Sequence, residues 1–486
     1  MPKLLALWFL ALSLHGAWAA SIVTQFTGNN EQFVVDHLFT IVPPDGGGAV
    51  GPGFAVQANN GQVAFYTTGS TGAVSAPLAA APMTDRAFWT SAGFPGVAGA
   101  GVADARVAYD PASGRFIVSA MTLEPVDNRI LLAISNDQNP AHGFTSISIP
   151  AQSGQFADFP TLAVRDGKVL IATNNFPLFQ NQSSTSLFVV PVASLTGGTT
   201  TGLVRNDNLS TATYGFTLQI GGGPTATGPI TFVGADFNGA ASVQVGTVSS
   251  GGIVSPVVTT VATTLSGFPN PITPPGAAFA LDAGDNRIPG SSVQIGDLLY
   301  FAQGAPTAGP NAITWTILDV VTGTIVQSGV ISSPGLDFTY PAIAANPAGD
   351  FFITFNGLSA TSNIGDYYVE CHATGAIATC GSPVLIAQSL LAAYTNFGGP
   401  PLSRWGDYNA LVNDPSDPSL FWSFVELAAI NPADPNCGID PGNCGLWTTE
   451  VAALRVQAAV SEPPFLPVFL TVGLAGAAIR LSRRRA

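Results

Sequence analysis

Apolar residues along this chain come in short runs of strand length, each broken by Gly, Asn, Asp or Pro, with no long helical period between them. Such runs bounded by turn formers predict β-hairpins. The clearest is Arg404-Trp405-Gly406-Asp407-Tyr408-Asn409-Ala410-Leu411-Val412, an Asn413-Asp414-Pro415 turn, then Leu420-Phe421-Trp422-Ser423-Phe424. Looser copies lie upstream. Phe54–Ala58 and Val63–Tyr66 flank Asn59-Asn60-Gly61, and Asn-Gly is a strong hairpin signal because both residues tolerate positive φ. Further pairs turn at Asp110-Pro111, Asp166-Gly167, Gly296-Asp297 and Asn346-Pro347.

These turns fall near residues 59, 110, 165, 236, 296, 346 and 414, a mean spacing of about 59 residues. Four short strands per repeat at that spacing predict an all-β fold, a β-propeller of seven blades. Six or eight blades stay open, because the unit around Ile230–Phe237 and Val243–Val248 is faint. A pair of β-sandwiches or a β-helix is the competing architecture. Within the propeller reading, Phe116, Phe351, Phe352, Phe421 and Trp422 fill the space between blades. Residues 42–48, rich in Pro and Gly, read as a turn.

The ends of the 486-residue chain read differently. Residues 1–19 form a signal peptide: Lys3, an apolar core from Leu4 to Leu14, and a small-x-small site at Ala17-Trp18-Ala19. Residues 20–48 are an N-terminal extension, 49–457 the propeller, and 458–486 a sorting or anchor segment. In that last segment Ser461-Glu462-Pro463-Pro464 precedes an apolar run, Phe465–Ile479, and then Arg480 and Arg483-Arg484-Arg485.

Composition supports export. Only 9% of residues are charged and Lys occurs at positions 3 and 168 alone, while 47% are hydrophobic, which argues against disorder. Removing both ends takes five of the 15 basic residues and one of the 29 acids. The body then holds 10 basic and 28 acidic groups, a formal net of −18. A field of that sign excludes nucleic acid as a partner. Four cysteines suit an oxidising compartment. Cys371 and Cys380 flank a plausible hairpin turn, and Cys437 and Cys444 enclose a Gly/Asp/Pro/Asn loop. Three pairings are open, of which the two local disulfides are favoured over a zinc site.

Catalytic motifs are missing. There is no Gly-x-Ser-x-Gly elbow, HExxH, phosphate loop or dinucleotide fingerprint, so no catalytic residue is assigned. The candidate chemistry lies where the innermost strands begin. Asp104, Asp158, Asp337 and Asp407 precede them, with Arg106, Tyr340, Arg404 and Tyr408 alongside. Ring closure would gather these eight into one binding site at the channel mouth. Carboxylates converging there need Arg partners or a cation such as Ca²⁺, to which Asp282 and Asp285 could add oxygens. The plainer reading is that each Asp fixes a turn by accepting backbone N–H groups.

Two resemblances add to this. The C-terminal run is similar to the PEP-CTERM sorting signal of Gram-negative bacteria, carried here by Glu462, Pro463, Pro464, Arg483, Arg484 and Arg485, with Ser461 where the first Pro is usual. It implies an exosortase partner, a membrane helix before processing, and delivery to the envelope surface or extracellular matrix. The body resembles a group of secreted bacterial propellers with an Ala-Val-Gly-Pro element (Ala49–Pro52) and an Arg-Trp-Gly-Asp-Tyr element (Arg404–Tyr408), some of them sialidase-like in fold. The sialidase Asp-box is absent, and no arginine triad can be assigned. Two functions follow as expectations: a binding or structural surface protein with a glycan or protein ligand, or a glycan-processing hydrolase or lyase using acids at the channel mouth.

Overall fold

The computed structural model describes residues 20–37, 42–69, 74–77, 82–94, 96, 101–178, 180–265, 267–277, 279–374, 377–391, 402–430 and 445–457. The expected signal peptide, the expected sorting segment beyond residue 457, and Cys437 and Cys444 lie outside them. No helix among the described residues is long and apolar enough to cross a membrane.

Seven antiparallel sheets of four or five strands follow one another along the chain, in strand-by-strand order, and make a seven-bladed β-propeller. Blade 1 holds Gly47–Gly51, Phe54–Asn59, Gln62–Thr68 and Val74–Pro77. Blade 2 runs from Val102 to Pro150, and blade 4 from Phe216 to Ala262. Blade 3 begins with a broken inner strand, Gln155–Asp158 then Ala163–Arg165, both paired to Lys168–Pro177. Blade 5 spans Val293–Ile331 and blade 6 Asp337–Gln388. Blade 7 takes Ala410–Asn413, Leu420–Ile430 and Gly445–Arg455 from the C-terminal part of the chain. Its fourth strand is Ser21–Asn30, antiparallel to Gly445–Arg455 with Ser21 opposite Arg455. Residues 20–48 are therefore not an extension outside the propeller: they supply the strand that closes the ring. The apolar residues Phe33–Val35 after it fall within the short helix Glu31–His37.

Seven apolar clusters fill the seven interfaces between neighbouring blades. Phe116 packs between blades 1 and 2, Phe351 between 5 and 6, Phe352 and Phe421 between 6 and 7, and Trp422 between 7 and 1. All five side chains are fully buried. An eighth cluster lies on the mouth side, where Ile272, Leu281 and Ala283 cover Tyr340, Trp405 and Trp447.

Close packing near the axis accounts for one departure from the sequence reading. Residues Gly47–Gly51 are the innermost strand of blade 1, not part of a turn. A Cβ on Gly47 would come within 2.6 Å of the Ala105 carbonyl oxygen on blade 2, and one on Gly48 would enter the Phe424 ring of blade 7. Glycine in this strand marks close approach of neighbouring backbones.

Cys371 and Cys380 are cross-strand partners in blade 6 and form a disulfide. Closing a loop with a sequence separation of 9 stabilises the fold by about 2–3 kcal/mol in the chain-entropy account.

Candidate functional site

Inner strands converge at the mouth, and the backbone there departs from regular geometry in the same way in several blades. Asp104, Phe159, Thr217 and Tyr340 take left-handed φ values of 59°, 53°, 50° and 51° near the start of blades 2, 3, 4 and 6, and Asp45 takes 47° just before blade 1. Pairing register slips beside Asp104, Thr217 and Tyr340. Bulges of this kind re-aim side chains and gather near functional sites. A left-handed non-glycine residue costs on the order of 1–3 kcal/mol and persists only where its surroundings hold it. Asparagines do that here: Asp104 N donates to Asn60 Oδ1 and Thr217 N to Asn174 Oδ1, both at 2.8 Å.

The connection between blades 4 and 5 folds back over the mouth. Ala280–Leu281 pairs in parallel with Leu402–Ser403, and Asp282 N donates to the Ser403 carbonyl at 2.9 Å. This places Asp282, Asp285 and Arg287 beside Tyr340, Arg404 and Asp407 around a cavity of about 220 Å³. Two ion pairs organise its wall. Arg287 Nε and Nη2 grip the two carboxylate oxygens of Asp285, each at 2.8 Å. Arg404 Nη2 meets Asp407 Oδ2 at 2.8 Å, and its Nη1 lies 3.8 Å from Asp282 Oδ2. Burial works against both arrangements. It lowers Arg287, but Asp285 outweighs it and holds the guanidinium above its usual range; burial raises Asp285, but Arg287 brings it below the usual carboxylate range.

Beneath the cavity is a stacked floor. The Arg106 guanidinium lies 3.5 Å from the centroid of the Tyr408 ring and 4.8 Å from that of Phe159, and Arg287 lies 4.5 Å from Phe159. Cation–π contacts of this kind stabilise by up to about 2 kcal/mol when desolvated. Arg106 Nη1 donates to the Pro289 carbonyl at 3.0 Å, while its Nε and Nη2 have no hydrogen-bond partner. The two tyrosines donate to backbone: Tyr408 to Ala105 at 3.1 Å, Tyr340 to Asp282 at 2.7 Å. Burial pushes both phenols well up, so they stay protonated.

Around this floor the acids crowd one another. Asp45 accepts from Asp407 N at 2.8 Å and from Asn60 Nδ2 at 2.9 Å; burial, then Asp407, push it up to about 7. Asp104 accepts from Phe159 N at 2.9 Å and is raised by burial, then by Asp158 and Asp45. Asp158 keeps some surface open yet is ringed by protein, and it is raised by burial and then by Asp407. Its hydrogen bond with Asp104 and the Arg287 charge oppose that rise. Glu426 is fully buried with both carboxyl oxygens unpaired, and burial raises it, followed by Asp45 and Asp407. The carboxyl lies against Gly406 where any Cβ would stand, which explains a glycine in the Arg-Trp-Gly-Asp-Tyr element.

Seven of the eight residues picked from sequence thus meet at the mouth: Tyr340, Arg404 and Asp407 on the cavity wall, Asp104, Arg106, Asp158 and Tyr408 beneath or beside it. Asp337 is the exception. Its Oδ1 accepts from Asn311 N at 2.7 Å, fixing the start of the third strand of blade 5. The reason is register. Thr339-Tyr340-Pro341 corresponds to Asp158-Phe159-Pro160, so Thr339 stands where the acid would, and it donates to the Ala283 carbonyl. Three members were not picked from sequence: Asp45, Arg287 and Glu426. Only Glu426 left a local sign, a lone acid inside the apolar run Phe424-Val425-Glu426-Leu427-Ala428. No group of three or more His, Cys, Asp or Glu able to hold a metal occurs among the described residues; Arg287 and Arg404 pair with Asp285 and Asp407 on the wall.

No protein-family model and no curated protein matches the chain. Among solved structures it is similar to Drosophila Semaphorin 1b extracellular domains 1–2 at 10% identity, with 90% of this chain and 88% of that one covered and a TM-score of 0.40. It is similar to the N10 neuraminidase-like protein of a little yellow-shouldered bat influenza A virus at 10% identity, with coverage of 68% and 94% and a TM-score of 0.39. The Trypanosoma rangeli sialidase in complex with the inhibitor DANA matches at 9% identity, with coverage of 72% and 54% and a TM-score of 0.35.

Proposed function

We propose that this propeller processes glycans at the mouth, with Asp158, beside the cavity, as the acid and Asp407, on its wall, as the base. One observation carries the reading. Two acids near enough to act on each other's ionisation lie in different surroundings: burial and then Asp407 raise Asp158, while Arg404 Nη2 meets Asp407 Oδ2 at 2.8 Å on the cavity wall. Two carboxyls in unlike surroundings can perform general acid–base chemistry on a glycosidic bond. Asp158 gives its proton to the leaving oxygen as the carbon–oxygen bond breaks. Asp407 takes a proton from the water whose oxygen bonds to the sugar carbon. The proton then returns from Asp407 to Asp158 through solvent. Tyr340 and Tyr408, whose hydroxyls are engaged by backbone carbonyls, act as walls and not as proton donors.

A panel of oligosaccharides offered to the purified full-length protein tests this. Turnover should appear on at least one glycan, and Asp158→Asn and Asp407→Asn should each lower kcat by about 10²–10⁴-fold with little change in melting temperature. Binding without turnover on every glycan tried would replace this reading with the other one, a binding or structural surface protein.

We also propose that the protein is exported and processed by an exosortase at its C-terminal segment. The disulfide Cys371–Cys380 supports an oxidising compartment. Deleting residues 458–486 should release the protein into the medium; retention in the membrane fraction would defeat the sorting claim.

A further inference from the structure

We infer that the mouth takes an uncharged sugar residue and discriminates against carboxylate-bearing sugars, an inference that rests on the glycan reading above. Recognition of an acidic sugar uses arginine forks with open N–H groups, because the guanidinium matches a carboxylate bidentately. Both forks at this mouth are already closed from within the chain. Arg287 spends Nε and Nη2 on Asp285, and Arg404 spends Nη2 on Asp407 with Asp282 beside Nη1. The third guanidinium, Arg106, lies under the floor at 4% exposure, behind the Pro289 carbonyl to which it donates. It does not line the cavity.

Charge points the same way. Three carboxylates, Asp282, Asp285 and Asp407, face two guanidiniums on the wall, an excess of one negative charge. The buried acids behind it add no positive charge in either protonation state. An incoming carboxylate would have to displace Asp285 or Asp407 from its arginine and leave that acid unpaired. Hydroxyl groups of a neutral sugar face no such exchange: they can donate to the outer carboxylate oxygens and accept from the remaining guanidinium N–H groups. The cavity is smaller than pockets that hold drug-sized molecules, so a single ring-sized group fits it.

The test uses the full-length protein with matched pairs of substrates, a neutral oligosaccharide against the same scaffold ending in a glucuronic or sialic acid. A kcat/KM at least tenfold higher on the neutral member is expected. Asp285→Asn, which frees the Arg287 fork, should narrow that gap at least tenfold, and Asp282→Asn, beside Arg404, should narrow it as well. A melting curve for each variant separates lost folding from altered selectivity. Turnover that favours the acidic member overturns the inference and leaves the glycan reading standing. A gap that neither folded variant alters overturns the role given to the closed arginines. No turnover on either member defeats the glycan reading, and the inference falls with it.

Discussion

Removing Ser21–Asn30 opens the ring, and the truncated protein should lose its cooperative thermal transition or remain insoluble. The strand does more than extend blade 7. It covers the edge of Gly445–Arg455 along its length, from Ser21 opposite Arg455 to Asn30 opposite Thr448. It also clips blade 7 to blade 1 through buried amides. Asn29 N donates to Gln57 Oε1 at 3.0 Å, and Asn29 Nδ2 to Asn59 Oδ1 at 3.0 Å. Gln57 Nε2 donates to Thr449 Oγ1 at 2.8 Å, and that hydroxyl donates back to the Asn29 carbonyl at 2.9 Å. Loss of the strand takes the Asn29 partners from Asn59 Oδ1 and from the Thr449 hydroxyl, each at about 1–3 kcal/mol, while Gln57 keeps Tyr66 and Thr449; it also bares a long sheet edge that invites aggregation. The two lost bonds cost about 2–6 kcal/mol together, a large part of the stability of many domains. Circular dichroism melting and light scattering read the outcome. A synthetic Ser21–Asn30 peptide should restore part of the transition by adding back as a strand. A truncated chain that melts within a few degrees of the intact one would show that closure contributes little.

What could be read from sequence divides along one line, local against non-local. The turns at Asn59-Asn60-Gly61 and Asn346-Pro347 announce themselves because the backbone conformation is set by the residues in the turn. Their spacing then counts the blades. Ser21–Asn30 announces nothing of that kind, since its partner lies more than 400 residues away. Gly47–Gly51 misleads because its glycines answer to neighbouring blades, not to a turn. The site divides the same way. Asp104, Asp158 and Asp407 all lie near the start of an inner strand, and that neighbourhood is visible in the sequence. Asp337 has a similar place by sequence, but it stands two residues ahead of Thr339, which precedes the left-handed Tyr340 as Asp158 precedes Phe159. Arg287 sits on a long connection whose path over the mouth depends on pairing with Leu402–Ser403, beyond any local signal.

Acidic conditions should stabilise this protein, and raising the pH from 5 to 8 should lower its melting temperature by roughly 5 °C. Burial pushes Glu31, on the helix after the closing strand, and Glu450, on the strand it closes against, each up to about 7. Asp45 rises to about 7 through burial and then Asp407, and Asp85 to about 6 through burial. In each case the folded state holds its proton more tightly than the unfolded chain, whose carboxyls titrate near 4. The stability these groups give is therefore fully present below about pH 4 and is lost as pH rises through the folded values near 6 and 7, with little further change above 8. Asp285 and Asp417 have the opposite sign, held low by Arg287 and by Ser419 with Arg455 against the effect of burial. Their contribution disappears only as pH falls through their folded values below 4, so they do not offset the trend between 5 and 8. Glu31 accepts from Trp447 N at 2.9 Å, a bond that a glutamine carbonyl can still accept. Glu31→Gln should therefore keep the fold, flatten the slope and raise the melting temperature most at pH 8. A melting temperature that is level or rises between pH 5 and 8, or a Glu31→Gln slope matching that of the unaltered protein, would mean these carboxyls lose their protons without cost and the ring seam is wetter than its burial implies.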